Sequence, residues 1–223
     1  LKKENVIRLM ILVFYQVWRH NMHVKLIDLE RQQQYIRSDI DHAITRVLNH
    51  GKYILGPEVG ELELRLSEIT GVRHVIACGS GTDALQLSML ANNIGEGDAV
   101  FLPNFSFPAT VEVILHVGAT PVFVDIQPDD FNIDPIVLFE AIMTTKKQGL
   151  NPRAILAVDL FGQPANYKNI QEIAKQQNMI VIADAAQSFG ATYKKLSIGH
   201  HGICSAISFY PAKPLGCYGD GGA

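Results

Sequence analysis

Short runs rich in apolar and β-branched residues, at 74–78, 98–102, 121–125, 153–158, 179–183 and 205–209, alternate along the chain with helical stretches or polar connections. Continuous apolar runs of this length predict strands buried on both faces, because a half-exposed strand alternates polar with apolar residues. Such strands belong to a parallel sheet covered by helices and joined by right-handed crossovers. The expected fold class is therefore α/β, three-layer αβα, around a mostly parallel sheet. Ahead of the sheet, Ile36, Ile40, Ala43, Ile44, Val47 and Leu48 recur at helical spacing, and so do Val59, Leu62, Leu66 and Ile69. Between these two amphipathic helices, Gly51-Lys52-Tyr53-Ile54-Leu55-Gly56-Pro57 reads as a loop, with Pro57 suited to the first turn of the second helix.

No internal repeat, low-complexity segment or flexible linker divides the chain, so one large domain is expected over residues 22–223. Residues 1–21 read as an N-terminal extension outside it. Their segment Val6 to Trp18 is apolar but contains Arg8, and it is shorter than the ~20 residues of a membrane span. Lys2 and Lys3 give a signal-like start, yet Arg19-His20-Asn21 offers no small-residue cleavage site. The expectation is no membrane association. With 48% hydrophobic and 18% charged residues the chain can bury a sizeable core. Its 19 basic and 22 acidic side chains are scattered without blocks, which excludes an evident nucleic-acid surface. Cys78, Cys204 and Cys217 are odd in number and lack CxxC spacing, a pattern of the reducing cytoplasm.

Three places carry candidate chemistry. Gly79-Ser80-Gly81-Thr82-Asp83-Ala84 follows the run ending at Cys78 and opens a helix, the outline of an anion site: glycines admit the ligand and free N–H groups hold a phosphate. The same letters satisfy G-x-G-x-x-A, so a nicotinamide-dependent dehydrogenase competes; its ribose-binding acid should close the second strand, which ends instead Phe101-Leu102-Pro103-Asn104. A plain glycine turn is the third reading. Asp184 closes the run Met179 to Ala183, at the strand end where α/β ligands bind; a buried carboxylate there needs a cation or donor, although Asp is also a favoured helix cap. Lys213 lies beyond the next run, between Pro211 and Pro214. A lone lysine is usually a solvated charge. Phosphate loop, acid and amine nonetheless follow one another in the order that pyridoxal phosphate (PLP) needs: the loop for its phosphate, the acid for its pyridinium, the amine for its aldehyde. His200-His201-Gly202-Ile203-Cys204 could suggest zinc, but a structural site wants four ligands and no fourth is close in sequence.

From about Met22 to Ala223 the chain resembles the DegT/DnrJ/EryC1/StrS family, fold-type I PLP enzymes that aminate nucleotide-linked keto sugars. The resemblance is carried by Gly51-Lys52-Tyr53-Ile54-Leu55-Gly56-Pro57-Glu58-Val59, Gly81-Thr82-Asp83-Ala84-Leu85, Asp184-Ala185-Ala186-Gln187-Ser188-Phe189-Gly190 and the run Ser208 to Ala223. It implies that the chain is the large domain of the aspartate aminotransferase-like fold. Lys213 would be the Schiff-base lysine and catalytic acid–base, Asp184 the partner of the pyridine nitrogen, and Gln187 a contact to the phenolic oxygen. Gly81, Thr82 and Ser208 would hold the phosphate, and Phe107 would stack on the cofactor ring, where a buried core phenylalanine is the alternative. Gly51 and Tyr53 match positions that touch the sugar nucleotide. The implied reaction passes an amino group from L-glutamate to a UDP-linked keto sugar, UDP-3-keto-N-acetylglucosaminuronate by the final run, for surface polysaccharide or O-antigen. The implied assembly is a homodimer with a shared site.

The chain departs from the family pattern in three ways. Ala212 replaces a residue that often bears a hydroxyl. Asp159, in Asp159-Leu160-Phe161-Gly162, stands where many relatives have histidine, and no role is assigned to it. The chain stops at Gly219-Asp220-Gly221-Gly222-Ala223, where the family continues with a last sheet strand and a smaller C-terminal domain, so a truncated, inactive PLP-binding fragment is the third class of reading beside transaminase and dehydrogenase.

Overall fold

A computed structural model describes residues 25–223, so the leader and membrane readings of Val6 to Trp18 fall outside the described residues. The chain divides into two units, up to His42 and Ala43–Ala223. The described part of the first opens with Lys25 paired to Asp28 and Glu30 at 3.6 and 3.0 Å. Asp28 then accepts the Arg31 N–H at 3.1 Å and so caps the start of helix α1 (Leu29–His50). This helix carries the apolar stripe read from the sequence, yet none of its residues is buried.

In the second unit follow α2 (Pro57–Thr70), α3 (Gly81–Ala91), β1 (Asp98–Pro103), α4 (Ala109–His116), β2 (Thr120–Val124), α5 (Pro135–Lys147) and β3 (Asn151–Val158). The chain continues through α6 (Tyr167–Gln177), β4 (Ile180–Asp184), a two-residue hairpin of β5 (Thr192–Tyr193) and β6 (Leu196–Ser197), and β7 (Cys204–Ala206). Local signals explain most ends: Pro57 and Pro135 occupy first turns, and Ser80, Asp134 and Asn166 accept N–H groups of the first turns of α3, α5 and α6.

Five strands form one parallel sheet in the order β2-β1-β3-β4-β7. Side-chain parity separates its two faces. Val100, Leu102, Ala154, Leu156 and Ile182 pack with Leu85 and Met89 of α3 and Val113 and Ile114 of α4. Ala99, Phe101, Ile155 and Ala157 pack with Leu138 and Ile142 of α5 and Ile170 and Ala174 of α6. The result is the αβα layering that continuous apolar runs demand.

The structure differs from the sequence reading at two strands. Only Cys78 of 74–78 enters a ladder, exchanging both backbone hydrogen bonds with Gly222 at 2.9 and 3.0 Å; one residue earlier, the Ala77 N–H is taken by the Glu63 carboxylate at 2.9 Å. The run 205–209 divides at Ala206, after which Ile207 and Phe209 pair antiparallel with Ala223 and Gly221 at 2.8–3.1 Å. The closing glycines therefore run between Cys78 and Ser208. The β5–β6 hairpin gave no sequence signal, because Lys194 and Lys195 fill its turn at φ 51° and 69° where Asn-Gly would be expected.

Ile155 is fully buried in the middle strand. Ile155→Ala should lower unfolding stability in urea by about 2–5 kcal/mol, whereas Leu115→Ala on the exposed side of α4 should stay within about 0.5 kcal/mol.

Candidate active site

The carboxyl ends of β1, β3, β4 and β7 lie along one edge of the sheet, and Asp184 emerges there. Asp184 ends β4 and is buried. One carboxylate oxygen accepts the Thr110 hydroxyl at 3.0 Å and the other accepts the Ala186 N–H at 3.3 Å. Burial holds this carboxyl above the ordinary aspartate range; the two hydrogen bonds pull it down, the charge of Asp159 adds to the rise, and the Lys213 ammonium opposes it.

Lys213 is half-buried in a tight loop, its N–H donating to the Tyr210 carbonyl at 2.8 Å. The loop closes where Cys217 donates to Phe209 at 2.7 Å. It demands glycine at 216, since a Cβ there would lie 2.4 Å from the Pro211 carbonyl oxygen.

The anion cradle is built from both ends of the unit. Ser80 caps α3 by accepting the Asp83 N–H at 3.0 Å, and the N–H groups of Gly81 and Thr82 have no acceptor within their own helix. Ser208 lies directly against this turn: a Cβ on Gly81 would come 2.7 Å from the Ser208 Cβ. Two amides at a helix start and a serine hydroxyl beside them are the kind of group that could seat a phosphate, and only glycine at 81 leaves room for the Ser208 side chain. A buried carboxylate at the end of β4, a lysine in the loop after β7 and this cradle fit a phosphorylated pyridine aldehyde.

Gln187 is held by its carbonyl oxygen, which accepts the Phe161 N–H at 2.8 Å; its amide N–H groups have no acceptor among the described residues, so they are available to a ligand oxygen. Phe107 is 65% exposed, which removes the buried-core alternative. It precedes Thr110 by one helical turn, and its carbonyl accepts the Thr110 N–H at 3.1 Å. Gly51 and Tyr53 are not brought to this cluster by any hydrogen bond or ring contact. Gly51 ends α1 at φ 66°, and Tyr53 is 62% exposed in the following loop.

Two residues escaped the sequence reading. Thr110, fully buried, bridges Ser106 at 2.8 Å and Asp184 at 3.0 Å; its place three residues after Phe107, at the start of α4, was the available signal. Asp159 is 1% exposed and accepts three hydrogen bonds: the Ala165 N–H at 3.0 Å, the Tyr167 hydroxyl at 2.7 Å and the Ser188 hydroxyl at 2.7 Å. It follows the end of β3, the same place by which Asp184 had been singled out. His200 and His201 are each engaged locally, with the Thr70 and Leu196 carbonyls at 3.0 and 3.3 Å. Among the described residues no group of His, Cys, Asp and Glu is arranged to hold a metal, and no helix is long and apolar enough to cross a membrane.

Fold and site together define an α/β protein of the aminotransferase class. The chain belongs to the DegT/DnrJ/EryC1/StrS aminotransferase family, whose profile matches residues 34–223. It is 48% identical over 200 residues to UDP-2-acetamido-2-deoxy-3-oxo-D-glucuronate aminotransferase of Pseudomonas aeruginosa, covering 90% of this chain and 54% of that one. A crystal structure of a family aminotransferase from Brucella abortus superposes with a TM-score of 0.88 at 51% identity, over 90% of this chain and 54% of the other. NtdA from Bacillus subtilis with bound cofactor PMP superposes with a TM-score of 0.82 at 35% identity, over 89% and 44%. The chain spans about half the length of the curated relatives it matches. Family membership sets the dehydrogenase reading aside, as does the strand after α3, which ends at Pro103 and Asn104 without a carboxylate.

Because burial raises the Asp184 carboxyl, its folded form binds a proton more tightly than its unfolded form. Its contribution to stability is full below the ordinary aspartate range and is lost as pH rises through the raised value. Asp184→Asn should therefore raise the melting temperature of the cofactor-free chain at about pH 7, and the gain should vanish at about pH 3. An equal gain at both pH values would contradict this.

Proposed function

We propose that this chain carries the PLP-binding half of an aminotransferase that moves an amino group from L-glutamate to a UDP-linked keto sugar. What supports the proposal is the buried Asp184 at the end of β4, held by Thr110 and Ala186, together with the contact of Gly81 with Ser208 and the family match over residues 34–223. Gly81, Thr82 and Ser208 would hold the phosphate, Asp184 the pyridine nitrogen and Gln187 the phenolic oxygen, while Phe107 would cover the ring. Lys213 would provide the amine for the aldehyde. When bound, PLP supplies an electron sink for the carbanion formed at the donor's α-carbon.

The protein's part is orientation and proton handling. The buried Asp184 would pair with the protonated ring nitrogen, and Thr110 and Ala186 hold its two oxygens in place for that contact. Lys213 Nζ takes the proton from the donor's α-carbon as general base, and returns a proton as general acid. Its loop is stiffened by Pro211 and Pro214 and by the bond of Cys217 to Phe209, which keeps the amine at the sheet edge.

The 48% identity to the P. aeruginosa enzyme supports UDP-3-keto-N-acetylglucosaminuronate as the acceptor and surface polysaccharide as the destination. Gly51 and Tyr53 then contact the sugar nucleotide, and a homodimer covers the exposed Tyr53, Ile54 and Leu55. Three unpaired cysteines support a cytoplasmic location.

After incubation with PLP and reduction by borohydride, one pyridoxyl mass should map to the peptide containing Lys213, and Lys213→Ala should abolish it. Adding L-glutamate before the reductant should remove the label from the wild-type protein. A label that stays, or that maps to another lysine, would overturn the assignment.

A further inference from the structure

The buried carboxylate of Asp159 is not used by the reaction just described, and it stands on the far side of the turn that carries Asp184 and Gln187. This turn, 184–188, is fastened to residue 159 at both ends. At its start the Asp159 N–H donates to the Asp184 carbonyl at 3.0 Å. At its finish the Ser188 hydroxyl donates to Asp159 Oδ2 at 2.7 Å. The turn is closed internally by the Ser188 N–H on the Ala185 carbonyl at 3.1 Å.

The anchor is itself rigid. Asp159 Oδ1 accepts from Ala165 and from Tyr167, and the fully buried Tyr167 ring stacks on His201 with centroids 4.8 Å apart. Three donors converge on one side chain, two of them on Oδ1 and the Ser188 hydroxyl on Oδ2, and a carboxylate accepts all three with no donor of its own in conflict. Burying such a charge is expensive, and an apolar replacement often serves stability as well or better. Its place beside Asp184 therefore points to the site.

We propose that Asp159 is a positioning residue: through Ser188 and the Asp184 backbone it fixes the turn so that the Asp184 carboxylate meets the ring nitrogen of the bound cofactor. This rests on the reading of Asp184 given above.

The test compares the binding of PLP and of its 1-deaza analogue, in which a carbon replaces the ring nitrogen, to the full chain. Both carry the same aldehyde and phosphate, so the difference isolates the contact made by Asp184. Wild-type protein should prefer PLP. Asp159→Ala should weaken PLP about tenfold, as expected when a hydrogen bond to a charged group is misaligned, and should leave the analogue unchanged. Asp159→Asn should restore most of the preference, because its oxygen keeps Ala165 and Tyr167 while the Ser188 hydroxyl reverses to accept. Ser188→Ala, which cuts only the bond at the end of the turn, should show the same selective loss, and it carries the test if the alanine variant at 159 does not fold. Equal weakening of both ligands would mark Asp159 as purely structural and overturn the proposal. Wild-type discrimination that neither variant disturbs would overturn it alone. Wild-type binding indifferent to the ring nitrogen would remove the Asp184 assignment, and this proposal with it.

Discussion

A carboxylate taken out of water at the end of β4 governs the architecture around it. Left alone, Asp184 would neutralise, since the free energy of an isolated buried charge far exceeds what a marginally stable fold can absorb. The neighbours divide into those that hold it and those that oppose it. Thr110 and Ala186 donate to it, and the Lys213 ammonium contributes from the next loop; the Asp159 carboxylate pushes the other way. The cofactor-free chain thus carries an electrostatic tension that a cation at the ring-nitrogen position would relieve.

The sheet makes this arrangement possible. Parallel strands bring their carboxyl ends to one edge, so successive crossovers deliver Thr110, Asp159, Asp184, Ser208 and Lys213 to the same region from distant points in the chain. Parity on β1 and β3 commits alternate side chains to opposite helical layers, which leaves the strand ends as the place where polar groups can gather. Asp159 and Asp184 are neighbours because β3 and β4 pair in register up to Val158 and Asp184.

The legible part of the fold was the part fixed by local burial. The runs at 98–102, 121–125, 153–158 and 179–183 became strands with boundaries shifted by two residues or fewer, since their apolar continuity suits no other place. The run 74–78 looked equally convincing, but its pairing depends on what lies alongside, and only Cys78 has a partner. Candidate site residues near strand ends were readable by position: Asp184 closes β4 and Lys213 lies in the loop after β7. Thr110 was not, because a threonine in a helix carries no sign of a carboxylate 74 positions further on. Asp159 met the same positional rule as Asp184 but was judged against a family pattern rather than by its own surroundings, which only the folded chain reveals.

The cradle joins the start of α3 to Ser208, so its halves are separated by most of the sheet in sequence. Early in folding such a chain holds pieces of the site with no mutual geometry, and a phosphate or an aldehyde would find nothing to grip. The site is complete only when β7 has paired with β4, so cofactor capture is in that sense a report on completed topology. Since a ligand that binds only the native state stabilises it by mass action, the cofactor would reward contacts between distant parts of the chain.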